Sequence, residues 1–346
     1  MIAEGEPVRT SRAGGHSHAC IKVLCGDQVY LDNPWLDTTA RWYGGNYRRG
    51  LFREMLFKKY VDTWGQVTSE DAGFQQLLKD GANYFCSDDH EFWNNAPNFG
   101  GVGFINTLTQ KQRDWWLGTA RELFEAFQSP QPLMQFEVSP LSACIADTRI
   151  DRDPERKGFM KNEDLRAVER WIEGLRGPGV LVVGQPVLAG GTSLRRSLLE
   201  NLKETVWSWL DGNLSDYEQY EELVGYIKSS EHSIVLLSGD VHFGRIACVR
   251  SNPDTNDATL VEVISSPMQL VLERKMKRFG TYEEAPTDHF PINENHKAAE
   301  GNHFATVGFT SREDGKIDMQ ARAWPILSPG GEVSPNVDPI FQATLS

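Results

Sequence analysis

The sequence predicts an α/β protein: two β-sheets packed face to face as a sandwich, flanked by helices in an αββα arrangement. Up to about residue 240, short apolar β-rich runs alternate with longer stretches of helical periodicity, the pattern of strands with helices laid against them. Beyond residue 240 come four β-like runs with little helix between them. No Pro/Gly/Ser-rich linker divides the 346 residues, so they read as one domain rather than two.

Residues 19–25 form a first strand that stops at Gly26-Asp27. Apolar residues recur at helical spacing over 47–64, and 73–81 is a second helix closed by glycine. Residues 83–87 are a strand running into a cluster of acids, and 109–127 a long amphipathic helix. Two runs, 134–138 and 141–147, flank Ser139-Pro140 as a hairpin. Helix signals return at 162–177, with Asn162 as N-cap and Gly177 as stop. A strand at 180–184 follows, then helices at 197–210 and 215–230. Residues 233–240 are the most apolar strand, and 245–251, 260–266, 304–310 and 316–324 complete the β-rich half. The polar stretch 279–302 reads as a long loop, residues 1–18 as a flexible leader, and the Pro- and Ser-rich residues 327–346 as a surface tail.

Composition narrows the function classes. Hydrophobic residues are 40% and charged residues 24%, with a net charge of −13. That excess of acid gives nothing to attract a phosphate backbone, so a general nucleic-acid binder is excluded, although a binder of metal cations is not. No apolar run approaches the ~18 residues of a membrane span. The five cysteines are scattered without a C-x-x-C pair and read as reduced thiols. The first twenty residues carry no apolar export signal, which points to a cytoplasmic protein as written.

The chemistry gathers at three strand ends. The first offers Asp27, Tyr30 and Asp32; the second Asp88, Asp89, His90, Glu91, Asn94 and Asn95; the third Asp240 and His242. Ligands of α/β sheets sit beyond the carboxyl ends of strands, and carboxylates and histidines brought together there call for a bound cation. Each motif alone has a plainer meaning. Gly-Asp is ordinary turn chemistry, D-D-H-E suits a solvated loop or a helix start, His242 a structural histidine, and Tyr30 a core aromatic. Trp35 and Trp93 either wall a pocket or simply pack. It is the recurrence at three strand ends that favours a metal site.

G-D-Q-V-Y (26–30), D-D-H-E-F-W-N-N (88–95) and S-G-D-V-H (238–242) resemble, in order and spacing, the signature blocks of the alkaline phosphatase D-like (PhoD-like) phosphatases. These belong to the wider calcineurin-like metallophosphoesterases. A-D-T-R-I-D-R (146–152) and V-V-G-Q-P (182–186) match more weakly, so the likeness runs from about residue 20 to 325. It implies a metallophosphatase-type sandwich over residues 19–326, and a metal-dependent phosphoesterase hydrolysing phosphomonoesters and/or phosphodiesters with metal-bound hydroxide. The implied cofactor is a dinuclear or multinuclear centre of Fe(III) with Ca(II) or another divalent ion such as Zn or Mn. Asp27 would bridge the ions, Tyr30 would ligate as phenolate, and Asp89, Asp240 and His242 would complete the set. His90 would serve the leaving-group oxygen. Arg149 would grip the phosphoryl group, because a guanidinium fork matches phosphate; pairing with Asp147 or Asp151 is its structural alternative. Asn94 would touch substrate or a ligand.

One departure stands out. The family opens with a metal ligand on a strand well upstream of Gly-Asp, whereas here Asp27 is the first aspartate in the chain and Cys20 lies seven residues before it. A parallel neighbour needs a crossover of a dozen or more residues. The expectation is therefore a fold lacking its first strand. Either an N-terminal segment has been lost, which would reopen a periplasmic or secreted location, or the protein is a degenerate member that binds metal or phosphate without catalysis.

Overall fold

In the computed structural model the apolar runs become strands, and those over 179–182 and 234–238 are buried throughout. It describes residues 2–3, 21–32, 49–65, 74–79, 81–99, 107–188, 213–241, 244–265, 289–299, 303–325 and 337–346. The strands are β1 (Ile2–Ala3), β2 (Ile21–Cys25), β3 (Ala82–Cys86), β4 (Leu133–Val138), β5 (Leu141–Ala146), β6 (Gly179–Val182) and β7 (Ile234–Ser238). They continue as β8 (Gly244–Arg250), β9 (Asp257–Ile264), β10 (Glu294–Ala299), β11 (His303–Ser311), β12 (Ile317–Pro325) and β13 (Phe341–Leu345). The helices are α1 (Arg49–Trp64), α2 (Phe74–Lys79), α3 (Gln110–Phe127), α4 (Asn162–Glu173) and α5 (Tyr220–Ser229).

Alternation along the strands sets the layers. Val23 and Cys25 of β2 join Val180 and Val182 of β6, Val235 and Leu237 of β7, and Met319 of β12 in one inner core. Leu24 belongs instead to an outer core with Phe52, Leu56 and Tyr60 of α1 and Leu123 and Phe124 of α3. On the other side, Leu181, Ile234 and Leu236 meet Val168 and Trp171 of α4 and Leu223 and Val224 of α5. The stack is helix, sheet, sheet, helix. Strands covered on both faces lose the polar alternation, which is why β6 and β7 read as unbroken apolar runs.

The two sheets are continuous. Hydrogen bonding follows one path, β3-β2-β1-β11-β12-β13-β9-β7-β6-β5-β4, with β8 on β9 and β10 on β8. The path curls so that its halves face each other across the inner core, and the parallel pairing of β13 with β9 joins them. β5, β6, β7 and β9 run parallel, as do β2 and β3.

The loop and tail expectations give way. The stretch 279–302 contains β10, antiparallel to β8; an edge strand held by backbone pairing needs no apolar face, so its polar sequence concealed it. The last residues are no surface tail. Phe341, Ala343 and Leu345 lie in the inner core, and the terminal strand is inserted between β12 and β9. Within the leader, Ile2–Ala3 pair with β2 and β11. The helix expected at 197–210, the histidines at 16 and 18, and Cys20 lie outside the described residues. Helix α4 begins at Asn162, so Lys161 takes the N-cap position, and the helix ends at Gly174 rather than Gly177.

Candidate metal centre

Three glycines let the strand ends close on one another. A Cβ on Gly26 would lie 2.4 Å from Cβ of Asp88, one on Gly239 2.6 Å from the carbonyl oxygen of Cys25, and one on Gly184 2.9 Å from that of Ser87. The ends of β2, β3, β6 and β7 therefore share one rim. At two of these ends the next residue turns outward in left-handed backbone, Asp27 at φ 61° and Asp240 at φ 67°. Aspartate tolerates that region better than most residues, yet at a cost the surroundings must sustain. Turn chemistry and ligand chemistry are here the same feature: the turn presents the carboxylate.

Ligand atoms of Asp27, Asp88, Asp89 and Asp240 all lie within 4.8 Å of one another, and those of Asp27, Asp89 and His90 form a second such group. The fold thus brings together Asp27, Asp89, His90 and Asp240, and adds Asp88, which the sequence offered only as part of an acidic run. The Oδ2 atom of Asp88 is buried with no hydrogen-bond partner. An unpartnered carboxylate oxygen in an all-oxygen cluster fits a hard cation. His242 lies outside the described residues, as does Trp35.

Glu91 binds the first two strand ends together. Fully buried, it accepts from the backbone N–H groups of Asp27 at 2.8 Å, Gln28 at 2.7 Å, Val29 at 3.3 Å and Asp88 at 2.9 Å. Burial pushes its carboxyl up to about 7, against the pull of those four N–H groups. Burial likewise raises Asp27 well above the ordinary carboxylate range, reinforced by Asp88, Asp89 and Glu91 and opposed by His90.

His90 is fixed from two sides. Its Nδ1 lies 2.8 and 2.9 Å from the two oxygens of Asp32, and its ring stacks on Tyr30 with centroids 4.2 Å apart. Nε2 is 4.0 Å from Oδ1 of Asp89. Burial opposes a charged ring, but Asp89, Asp27 and Asp32 outweigh it and hold the pKa well above the ordinary histidine value. Tyr30 donates to Asp27 Oδ2 at 3.3 Å, and burial with the surrounding carboxylates raises its pKa, so the metal-free phenol keeps its proton. Asp32 also accepts from the backbone N–H of the half-buried Asn94 at 2.6 Å.

Arg149 is 2% exposed. Its Nε and Nη2 reach Asp88 Oδ1 at 2.7 and 2.6 Å, and Nη1 donates to the carbonyl of Ala96 at 2.8 Å. Its guanidinium thus pairs with Asp88. Asp147 accepts from Ser87, Arg149 and Ile150, and Asp151 pairs with Arg121. Trp93 is fully buried, donates to Asn98 and packs on Trp116, so it is a packing residue. Sequence reasoning missed the parts of Glu91 and Asp32, because an acceptor's value depends on which N–H groups the fold delivers to it.

No protein-family model matches this sequence, and no curated protein matches it. Among solved structures, one described as "Structure of PhoD" superposes with a TM-score of 0.54 over 93% of this chain at 14% identity. The match covers 66% of that chain, so the present one spans about two thirds of its length. The likeness is one of fold alone: this chain is a mixed α/β protein with a PhoD-like architecture. Among the described residues, no helix is long and apolar enough to cross a membrane.

Proposed function

We propose that the chain is a metal-dependent phosphoesterase acting on small phosphomonoesters and/or phosphodiesters. The observation that carries this is the convergence of Asp27, Asp88, Asp89 and Asp240 on one rim of a PhoD-like fold. In this reading Asp27, Tyr30, Asp89 and Asp240 hold the ions, joined by Asp88 and by His242 from outside the described residues. The hard oxygen set favours Fe(III) with Ca(II), or Zn or Mn as the divalent partner. Such ions, when bound, acidify water and offset negative charge on phosphoryl oxygens.

The chain's own residues have separate tasks. Asp32 holds the His90 ring through Nδ1, which leaves Nε2 as the atom that carries a proton toward a leaving-group oxygen. Tyr30 limits rotation of that ring by stacking. Arg149 fixes Asp88 through Nε and Nη2, and its guanidinium is the proposed grip on a phosphoryl group. Asn94, beside Asp32, is the proposed substrate contact at the rim.

The test is hydrolysis of an aryl phosphate and an aryl phosphodiester by chain supplied with Fe, Ca, Zn or Mn. Metal content is measured in parallel on wild type, Asp27→Asn and Asp240→Asn. Turnover together with metal lost from both variants is expected. Bound metal without turnover on either ester would leave a metal-binding, non-catalytic member, and unchanged metal in the variants would sink the assigned site.

A further inference from the structure

Residues 146–152 and 182–186, the two blocks between the site's motifs, meet in the structure. Arg152, 4% exposed, closes the first block, and Gln185, 2% exposed, lies in the second. Arg152 Nη2 donates to Gln185 Oε1 at 2.8 Å, and Gln185 Nε2 donates to Asp240 Oδ2 at 2.7 Å. The guanidinium is itself pinned: Nε donates to the carbonyl of Thr148 at 3.0 Å, and Cζ sits 5.0 Å from the ring centre of Tyr217.

Donor and acceptor chemistry fixes the direction of this chain. Arginine only donates and an ionised carboxylate only accepts. An amide between them must turn its oxygen to Arg152 and its nitrogen to Asp240, and the flipped amide would lose both bonds. We infer that Arg152 and Gln185 are positioning residues, a two-step relay that orients the Asp240 carboxylate for cation binding. The inference rests on the proposed metal site. Partners of this kind, one step removed from a cation, typically change metal affinity by about 10–100-fold.

The experiment titrates the metal-free full chain with Mn(II), following free ion by electron paramagnetic resonance, and records thermal melts of the same metal-free samples. Gln185→Met, which fills similar volume without a donor, is expected to weaken Mn(II) binding about 10–100-fold. Arg152→Met should weaken it less, Arg152→Lys should recover part of that loss, and the double variant should bind no worse than Gln185→Met alone. Additive losses in the double variant, or a Gln185→Met affinity within about twofold of wild type, would overturn the relay. A purely structural role would lower the melting temperature and leave affinity unmoved, which also overturns it. Should Gln185→Met not fold, Gln185→Asn, too short to span both partners, is expected to show the same loss of affinity. If wild type binds no Mn(II), Ca(II), Zn(II) or Fe(III), the metal site itself is wrong and the relay goes with it.

Discussion

At single residues the site is built from conformations that favour presentation of charge over stability. Gly26 and Gly315 both sit at positive φ, 87° and 82°, but a Cβ on Gly26 would strike Asp88 while one on Gly315 would meet open space. Gly315→Ala should therefore cost only the left-handed backbone, about 1–2 kcal/mol. Gly26→Ala adds overpacking and should cost roughly 2–5 kcal/mol. Urea unfolding of the two variants measures the difference, and equal losses would mean the β2 and β3 ends are not in close approach. Asp27 combines a strained backbone with neighbouring carboxylates. Asparagine tolerates the same backbone and removes one charge, so Asp27→Asn should stabilise the metal-free chain by on the order of 1 kcal/mol while abolishing metal binding. A variant less stable than wild type in chelator would show that this carboxylate is structural.

At the level of elements, period and flanking composition decided what the sequence disclosed. β2, β6 and β7 were legible because strands buried on both faces are short apolar runs, and β2, β3 and β7 because they close on Gly-Asp or acids. The inner-core strand β13 was not. Its Phe-Gln-Ala-Thr-Leu alternates correctly for a strand, but it is short and follows a stretch rich in Pro and Ser. β10 had no apolar signal to give, as its partner is β8 alone. The site divided in the same way. Aspartates at strand ends were visible from punctuation, whereas Glu91, Asp32 and Gln185 acquire their parts only from the hydrogen-bond partners that tertiary structure brings. β13 carries the clearest prediction at this scale. It joins β12 to β9 and buries Phe341, Ala343 and Leu345, and the final residue bonds back to Ser233. Removing residues 337–346 forfeits about 1.5–3 kcal/mol for each of the two large side chains, and it exposes the facing edges of both sheet halves. The truncated chain should lack a cooperative melt by circular dichroism, and a wild-type melting curve would contradict the central placement of this strand.

For the whole molecule, the decisive quantity is how cation binding couples to folding. The net charge is −13, and four carboxylates converge on one rim with the Arg149 guanidinium on Asp88 and the His90 ring beside Asp89. The folded chain concentrates these groups and the unfolded chain disperses them, so a cation that fits the cluster binds the native state preferentially. At a free concentration of about 100 times its dissociation constant, such a cation adds ~2.7 kcal/mol to stability. With an unfolding entropy of about 2.1 cal/mol/K per residue, a chain of 346 residues should melt about 4 °C higher loaded than in chelator. Asp27→Asn and Asp240→Asn should show no such shift, because each removes a carboxylate from the cluster. Their melts should coincide with and without metal at the same concentration. Surface carboxylates binding cations diffusely would instead raise wild type and both variants alike, and that outcome would remove the rim as the site of binding.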